Sequence, residues 1–90
     1  MKVFSMQNIL LVEDDVTLAN GIRLALQNSS LQITLRHTLI ESRNVFDHDS
    51  FDLLILDINL PDGSGLDLLN EVRKTSAVPI ILLTANDMEM

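Results

Sequence analysis

Acidic residues close two apolar runs in this 90-residue chain. Leu53-Leu54-Ile55-Leu56 runs into Asp57, and the turn formers Asn59, Pro61, Asp62, Gly63 and Gly65 follow at once. Residues 7–12, QNILLV, run into Glu13-Asp14-Asp15. A carboxylate at the end of a buried strand is costly to desolvate unless something pairs with it. If the two runs are neighbouring strands, Glu13, Asp14 and Asp57 meet in one pocket. Carboxylates within about 4–6 Å repel one another and raise each other's pKa. A divalent cation resolves that conflict, and a hard, oxygen-rich site with few ligands suits Mg²⁺. A dinucleotide-binding fold would instead place glycines in the first turn, so that backbone amides could meet a pyrophosphate. Three acids stand there, so this turn is built to hold a cation.

The elements that must position these acids alternate along the chain. Residues 7–12 predict a buried strand. Residues 16–27 follow with Leu18, Ile22, Ala25 and Leu26 at helical spacing, Asp15 as N-cap and Asn28-Ser29-Ser30 as the stop. Gly21 inside this helix is expected to mark close packing. Residues 31–36, LQITLR, alternate apolar and polar, as in an edge strand. Thr38 is placed to cap a second helix through about residue 46, with Leu39, Arg43 and Phe46 on one face. A strand over 51–57 precedes a third helix, from Ser64 or Gly65 to Lys74, that buries Leu66, Leu69 and Val72. Arg73 and Lys74 suit the negative end of its dipole. Pro79 opens a last apolar strand ending at Thr84, and residues 85–90 form a loop.

Strands alternating with helices predict a doubly wound α/β fold with a parallel sheet and right-handed crossovers. The strands at 7–12 and 51–57 are apolar on both faces and belong at its centre. Sites in such sheets form outside the carboxyl ends of the strands, where the strand order reverses. The strand at 79–84 is as apolar as the central ones, which calls for cover on both faces and a neighbour on each side. The chain is therefore expected to be incomplete after residue 90, or to find its missing cover in a second molecule.

Composition narrows the function. Six Lys and Arg against 13 Asp and Glu give a net charge of −7, which a phosphate backbone would repel. Three Phe with no Trp or Tyr leave no stacking platform for bases. There is no cysteine for a disulfide or thiolate site. The apolar runs are too short to cross a bilayer, the first residues lack a secretory pattern, and the cytoplasm is the expected compartment. Plainer roles compete for several residues. Asp15 serves as a helix cap, Asp62 begins a turn, and Thr84 by itself is a strand-end hydroxyl bonded to backbone. His37 and His48 lack a partner at ligand spacing and are expected on solvated surface.

The combination ILLVEDD, LLILDINLPDGSG and PIILLTA resembles the receiver domain of bacterial two-component response regulators. The likeness runs in register from Ile9 to Ala85. It implies a flavodoxin-like topology with strand order 2-1-3-4, lacking the fifth strand and last helices, so that residues 1–90 form one receiver domain incomplete at its C-terminus. It also implies that Asp57 is the aspartate phosphorylated by a sensor histidine kinase. Glu13 and Asp14 would hold Mg²⁺, with Asp57 and the backbone carbonyl of Asn59 completing the site. Thr84 matches the hydroxyl that moves to bond the phosphoryl group, and Pro61 and Gly65 match the loop after the phosphorylated acid. Such a domain is a phosphoacceptor rather than an enzyme, and controls transcription through a DNA-binding output domain absent from this chain. The family's lysine on the fifth strand has no counterpart here, since Lys74 lies at the far end of the third helix. Without the last helix to cover the sheet, a homodimer or domain swap through residues 79–84 is expected.

Two rivals share parts of this pattern. One is a pseudo-receiver of the same fold that acts only as a protein-interaction module. The other is a Mg²⁺-dependent phosphatase with an aspartyl nucleophile. Such phosphatases want a second acid two residues after the nucleophile, where this chain has Asn59.

Overall fold

A computed structural model describes residues 6–83. The first element is strand β1 (Gln7–Val12), followed by helix α1 (Val16–Leu26), strand β2 (Leu31–Arg36) and helix α2 (Leu39–His48). Strand β3 (Leu53–Asp57) leads into a small hairpin, β4 (Asn59–Leu60) and β5 (Gly63–Ser64). Helix α3 (Gly65–Arg73) and strand β6 (Ile80–Leu83) complete the series. The four long strands form one parallel sheet in the order β2-β1-β3-β6, while β4 and β5 pair antiparallel. This is the expected 2-1-3-4 order, with β6 as the fourth long strand, and it makes a doubly wound α/β fold.

Alternation along the strands builds two cores. Leu10, Val12, Leu54 and Leu56 point to one face, where Leu39 and Val45 of α2 and Leu68 and Val72 of α3 cover them. Ile9, Leu11 and Ile55 point to the other, where Ala19 and Ile22 of α1 pack with Ile33. Strands β1 and β3 are covered on both faces, which is why they read as continuous apolar runs.

Each helix starts on a polar cap: Asp15 and Thr38 as expected, and Ser64, expected only as a possible first residue of its helix. Asp15 Oδ1 accepts the Leu18 N–H at 3.0 Å, Thr38 Oγ1 the Glu41 N–H at 3.1 Å, and Ser64 Oγ the Leu66 N–H at 3.1 Å.

Several expected faces are corrected. In α3 the sheet takes Leu68, 2% exposed, rather than Leu66, 44% exposed, and Leu69 is only partly covered. Leu68 and Val72, four apart, share the helix face that lies over the strands. In α2 the buried stripe is Leu39, Ser42 and Val45. Arg43 turns instead to Glu71 of α3, with Nε and Nη2 at 2.8 and 2.7 Å from its two carboxylate oxygens. In α1 only Ala19 is buried, and Leu18, Ala25 and Leu26 are exposed. Gly21 faces open space, so close packing does not account for it. Strand β6 is hydrogen-bonded to β3 alone among the described residues, and its Ile81 and Leu82 are exposed. That lack of cover among the described residues agrees with the expectation that its cover lies outside this stretch of chain or in a second molecule.

Truncation separates the two readings of α3. Leu68→Ala is expected to cost roughly 2–5 kcal/mol of unfolding free energy in urea titrations, the range for a fully buried leucine. Leu66→Ala should cost less than about 1 kcal/mol, because its side chain already meets solvent.

Candidate metal and phosphoacceptor site

Sheet register assembles the acids. Leu11 pairs with Ile55 and Val12 with Leu56 across β1 and β3. One step further along both parallel strands puts Glu13 beside Asp57. The Glu13 N–H donates to the Arg36 carbonyl at 3.0 Å, extending the β1–β2 ladder to that residue. Asp14 follows on the turn into α1, at the same rim.

Carboxylate oxygens of Glu13, Asp14 and Asp57 all lie within 4.8 Å of one another. Glu13 and Asp57 are 5% and 4% exposed, while Asp14 is open to solvent. Among the described residues no lysine or arginine pairs with any of the three; the recorded ion pair is Arg43–Glu71, on the outer surface of α2 and α3. Backbone amides provide partial relief. The Asp15 N–H donates to Glu13 Oε2 at 3.1 Å, and the Asn59 N–H donates to Asp57 Oδ1 at 3.2 Å.

Glu13 carries the electrostatic cost. Burial pushes its carboxyl up to about 7 from an ordinary 4.5, and the neighbouring Asp57 and Asp14 carboxyls add to the rise. The Asp15 amide acts the other way. A cation bound there must displace that proton, so metal binding releases it and strengthens as pH rises. All side-chain donors in the pocket are hard oxygens, two of them withdrawn from water and unneutralised by protein. That donor set fits a small divalent cation and offers nothing to a soft metal.

The loop after Asp57 is held by close backbone contacts. The Gly65 N–H donates to the Ile58 carbonyl at 2.7 Å. A Cβ on Gly65 would collide with the Asp57 carbonyl oxygen, so only glycine fits there. Asn59 is therefore held at the site; its amide contact is observed, and its carbonyl role stays an expectation. Thr84, the remaining expected site residue, lies outside the described residues.

Two residues have larger parts than their sequence context indicated. His37 is not a solvated surface histidine. It is half-buried, and its Nδ1 lies 2.7 Å from the Glu13 carbonyl oxygen. A carbonyl only accepts, so Nδ1 carries the proton. Asp62 does more than begin a turn. Its Oδ1 accepts the Leu39 N–H at 2.7 Å and its Oδ2 the Ile40 N–H at 3.0 Å. Those amides hold the Asp62 carboxyl below its ordinary range, the Leu39 bond most strongly. Both partnerships cross more than twenty residues of chain, and no local motif signals them. His48 is exposed as expected, its Nδ1 bonded to the Asn44 carbonyl one turn back.

The profile of the response regulator receiver domain matches residues 9–90. The KDP operon transcriptional regulatory protein KdpE of Escherichia coli is 36% identical over 88 residues, covering 93% of this chain and 37% of KdpE. The response regulator TrrA of Thermotoga maritima, solved in complex with Mg²⁺–BeF, superposes with a TM-score of 0.83 at 35% identity. That superposition covers 91% of this chain and 72% of the TrrA chain. A complex of the histidine kinase ThkA with TrrA gives a TM-score of 0.82 at 34% identity, covering 92% and 72%. This chain belongs to the response regulator receiver domain family. It spans well under half the length of curated relatives such as KdpE.

The raised Glu13 carboxyl has a pH signature. An unfolded chain ionises Glu13 near 4.5, whereas the folded chain keeps the proton to about 7. Between those values the folded state binds more protons, so stability falls as pH rises, and the loss is complete above about 7. In chelator, the stability gap between Glu13→Gln and wild type should be small below pH 4.5. By about pH 8 the gap should reach on the order of 3 kcal/mol in favour of the variant. Urea titrations at both ends of the window measure it.

Proposed function

We propose that this chain accepts a phosphoryl group on Asp57 from the phosphohistidine of a sensor histidine kinase, in a Mg²⁺-dependent phosphorelay. The observation that carries the proposal is the convergence of Glu13, Asp14 and Asp57 at the carboxyl ends of adjacent strands in a member of the receiver family. The complex of TrrA with a histidine kinase and its complex with Mg²⁺–BeF support the same partner and cation here.

In this reading Glu13, Asp14, Asp57 and the Asn59 carbonyl hold Mg²⁺. When bound, the ion supplies positive charge that offsets the phosphoryl oxygens during transfer. Asp57 is the nucleophile. Its Oδ1 is engaged by the Asn59 amide, which leaves Oδ2 to attack phosphorus. A P–O bond forms as the P–N bond to the kinase histidine breaks, and the electron pair leaves with the imidazole. Burial of Asp57 limits water at the reacting oxygen. Thr84 is assigned the hydroxyl that bonds the new phosphoryl oxygens and biases a two-state surface.

The proposed role extends to transcription, which curated relatives such as KdpE carry in their names, through a DNA-binding output domain and in the cytoplasm. Among the described residues no helix is long and apolar enough to cross a membrane. Exposed Ile81 and Leu82 on β6 support self-association through strand 79–84 as a second contact.

Intact-mass measurement after incubation with acetyl phosphate tests the proposal. Wild type should gain one phosphoryl group in Mg²⁺ and none in chelator. Asp57→Asn should gain none, and Glu13→Ala should slow uptake by roughly tenfold or more. Phosphate gained equally by Asp57→Asn would move the nucleophile elsewhere. A wild type that binds Mg²⁺ but never gains mass from any phosphodonor would favour the pseudo-receiver.

A further inference from the structure

The first turn of a helix leaves its leading amides without intrahelical partners. In α2 their partners come largely from outside the helix. Thr38 Oγ1 takes the Glu41 N–H, and Glu41 Oε1 reaches back to the His37 N–H at 3.0 Å, a capping box displaced by one residue. The Leu39 and Ile40 amides are taken by the two oxygens of Asp62, in the hairpin that follows Asp57. A second contact joins the same elements: a Cβ on Gly63 would lie 2.7 Å from Leu39 Cδ1, so the hairpin backbone presses on Leu39. Leu39 itself is fully buried. On the opposite side, the His37 ring binds the Glu13 carbonyl.

One helical turn therefore touches both halves of the acid pocket. The route to the Glu13 half is direct. Glu13 is bonded through its N–H to Arg36 and through its carbonyl to His37, so its backbone is held at both polar groups. The route to the Asp57 half is short. Gly63 pairs with Leu60 and Ser64 with Asn59 across the hairpin, and the Asn59 N–H is the donor to Asp57 Oδ1. The capping box alone satisfies the Glu41 and His37 amides; the long-range bonds of Asp62 and His37 fix where the turn sits relative to the two strand ends.

We propose that the first turn of α2 is a clamp that sets the separation of Glu13 and Asp57, with Asp62 and His37 as its positioning residues. The proposal rests on the reading of the acid pocket as a Mg²⁺ site and adds the parts that hold the pocket in register. Partners outside the ligand set govern metal affinity when they fix ligand placement. Neither residue touches the cation in this account.

Calorimetric Mg²⁺ titration of the folded full chain tests it, at a temperature well below each variant's unfolding midpoint. Asp62→Ala and His37→Ala should each weaken binding by roughly tenfold. Asp62→Asn, which keeps an acceptor for the Leu39 N–H, should lose less than Asp62→Ala. His37→Asn, whose amide can replace Nδ1–H as donor to the Glu13 carbonyl, should regain much of the affinity. Val45→Ala, which loosens the core beneath α2 without touching the clamp, should lower the unfolding midpoint and leave Mg²⁺ affinity unchanged. If an alanine variant fails to fold, the Asn variants and Val45→Ala still decide the matter. Unchanged affinity in Asp62→Ala and His37→Ala, or in Asp62→Asn where the alanine variants do not fold, or equal weakening by Val45→Ala, would overturn the clamp while leaving the cation site intact. No Mg²⁺ binding by the wild type would overturn both.

Discussion

Two carboxylates buried side by side, with no lysine or arginine paired to them among the described residues, are the constraint on which this structure depends. Strand register brings Glu13 next to Asp57, since Val12 pairs with Leu56 one step before. The apolar residues that make β1 and β3 good central strands are also what deliver the acids to a dry rim. The Glu13 carboxyl then holds its proton to about 7, chiefly because of burial. Packing and electrostatics are in conflict here, and functional sites are where folds tolerate such conflict. A divalent cation relieves it, so the same feature that weakens the cation-free protein near neutral pH favours metal binding.

The loops around the pocket are held by local chemistry. Asp15 caps α1 one residue beyond Asp14, so that acid stands at a fixed helix start. Ser64 and Gly65 begin α3 directly against the Asp57 backbone. Asp62 and His37 tie α2 to either side. Three helix N-termini thus approach the acid rim, each with a polar cap. Helix starts carry positive dipole ends, which suits a rim that must hold carboxylates and, in the proposed reaction, a phosphoryl group.

Much of this was legible in the residues. Order and type of the long elements follow from apolar period and caps: Asp15, Thr38 and Ser64 each start the helix they were expected to start. Strands β1 and β3 are central because both their faces are apolar. The three acids converge because Asp57 ends one such strand and Glu13 and Asp14 stand one and two steps past the other. Helix faces were less legible, since Leu66, Leu68 and Leu69 offer more than one apolar face of α3 and only packing on the sheet selects Leu68 over Leu66. In α1 an apolar stripe is present without equivalent burial, because amphipathic spacing records a capacity for contact and not its occupant. His37 and Asp62 were missed as partners for a different reason. Their bonds join residues 24 and 22 or 23 positions apart, and only the three-dimensional arrangement brings those groups within reach.

The most direct test of the central claim is a crystal of the chain grown with Mn²⁺, an oxygen-preferring stand-in for Mg²⁺, and examined by anomalous scattering. The account predicts one strong peak bounded by Glu13, Asp14 and Asp57. A well-ordered structure at saturating Mn²⁺ with no peak there, or with its peak among other carboxylates, would contradict it.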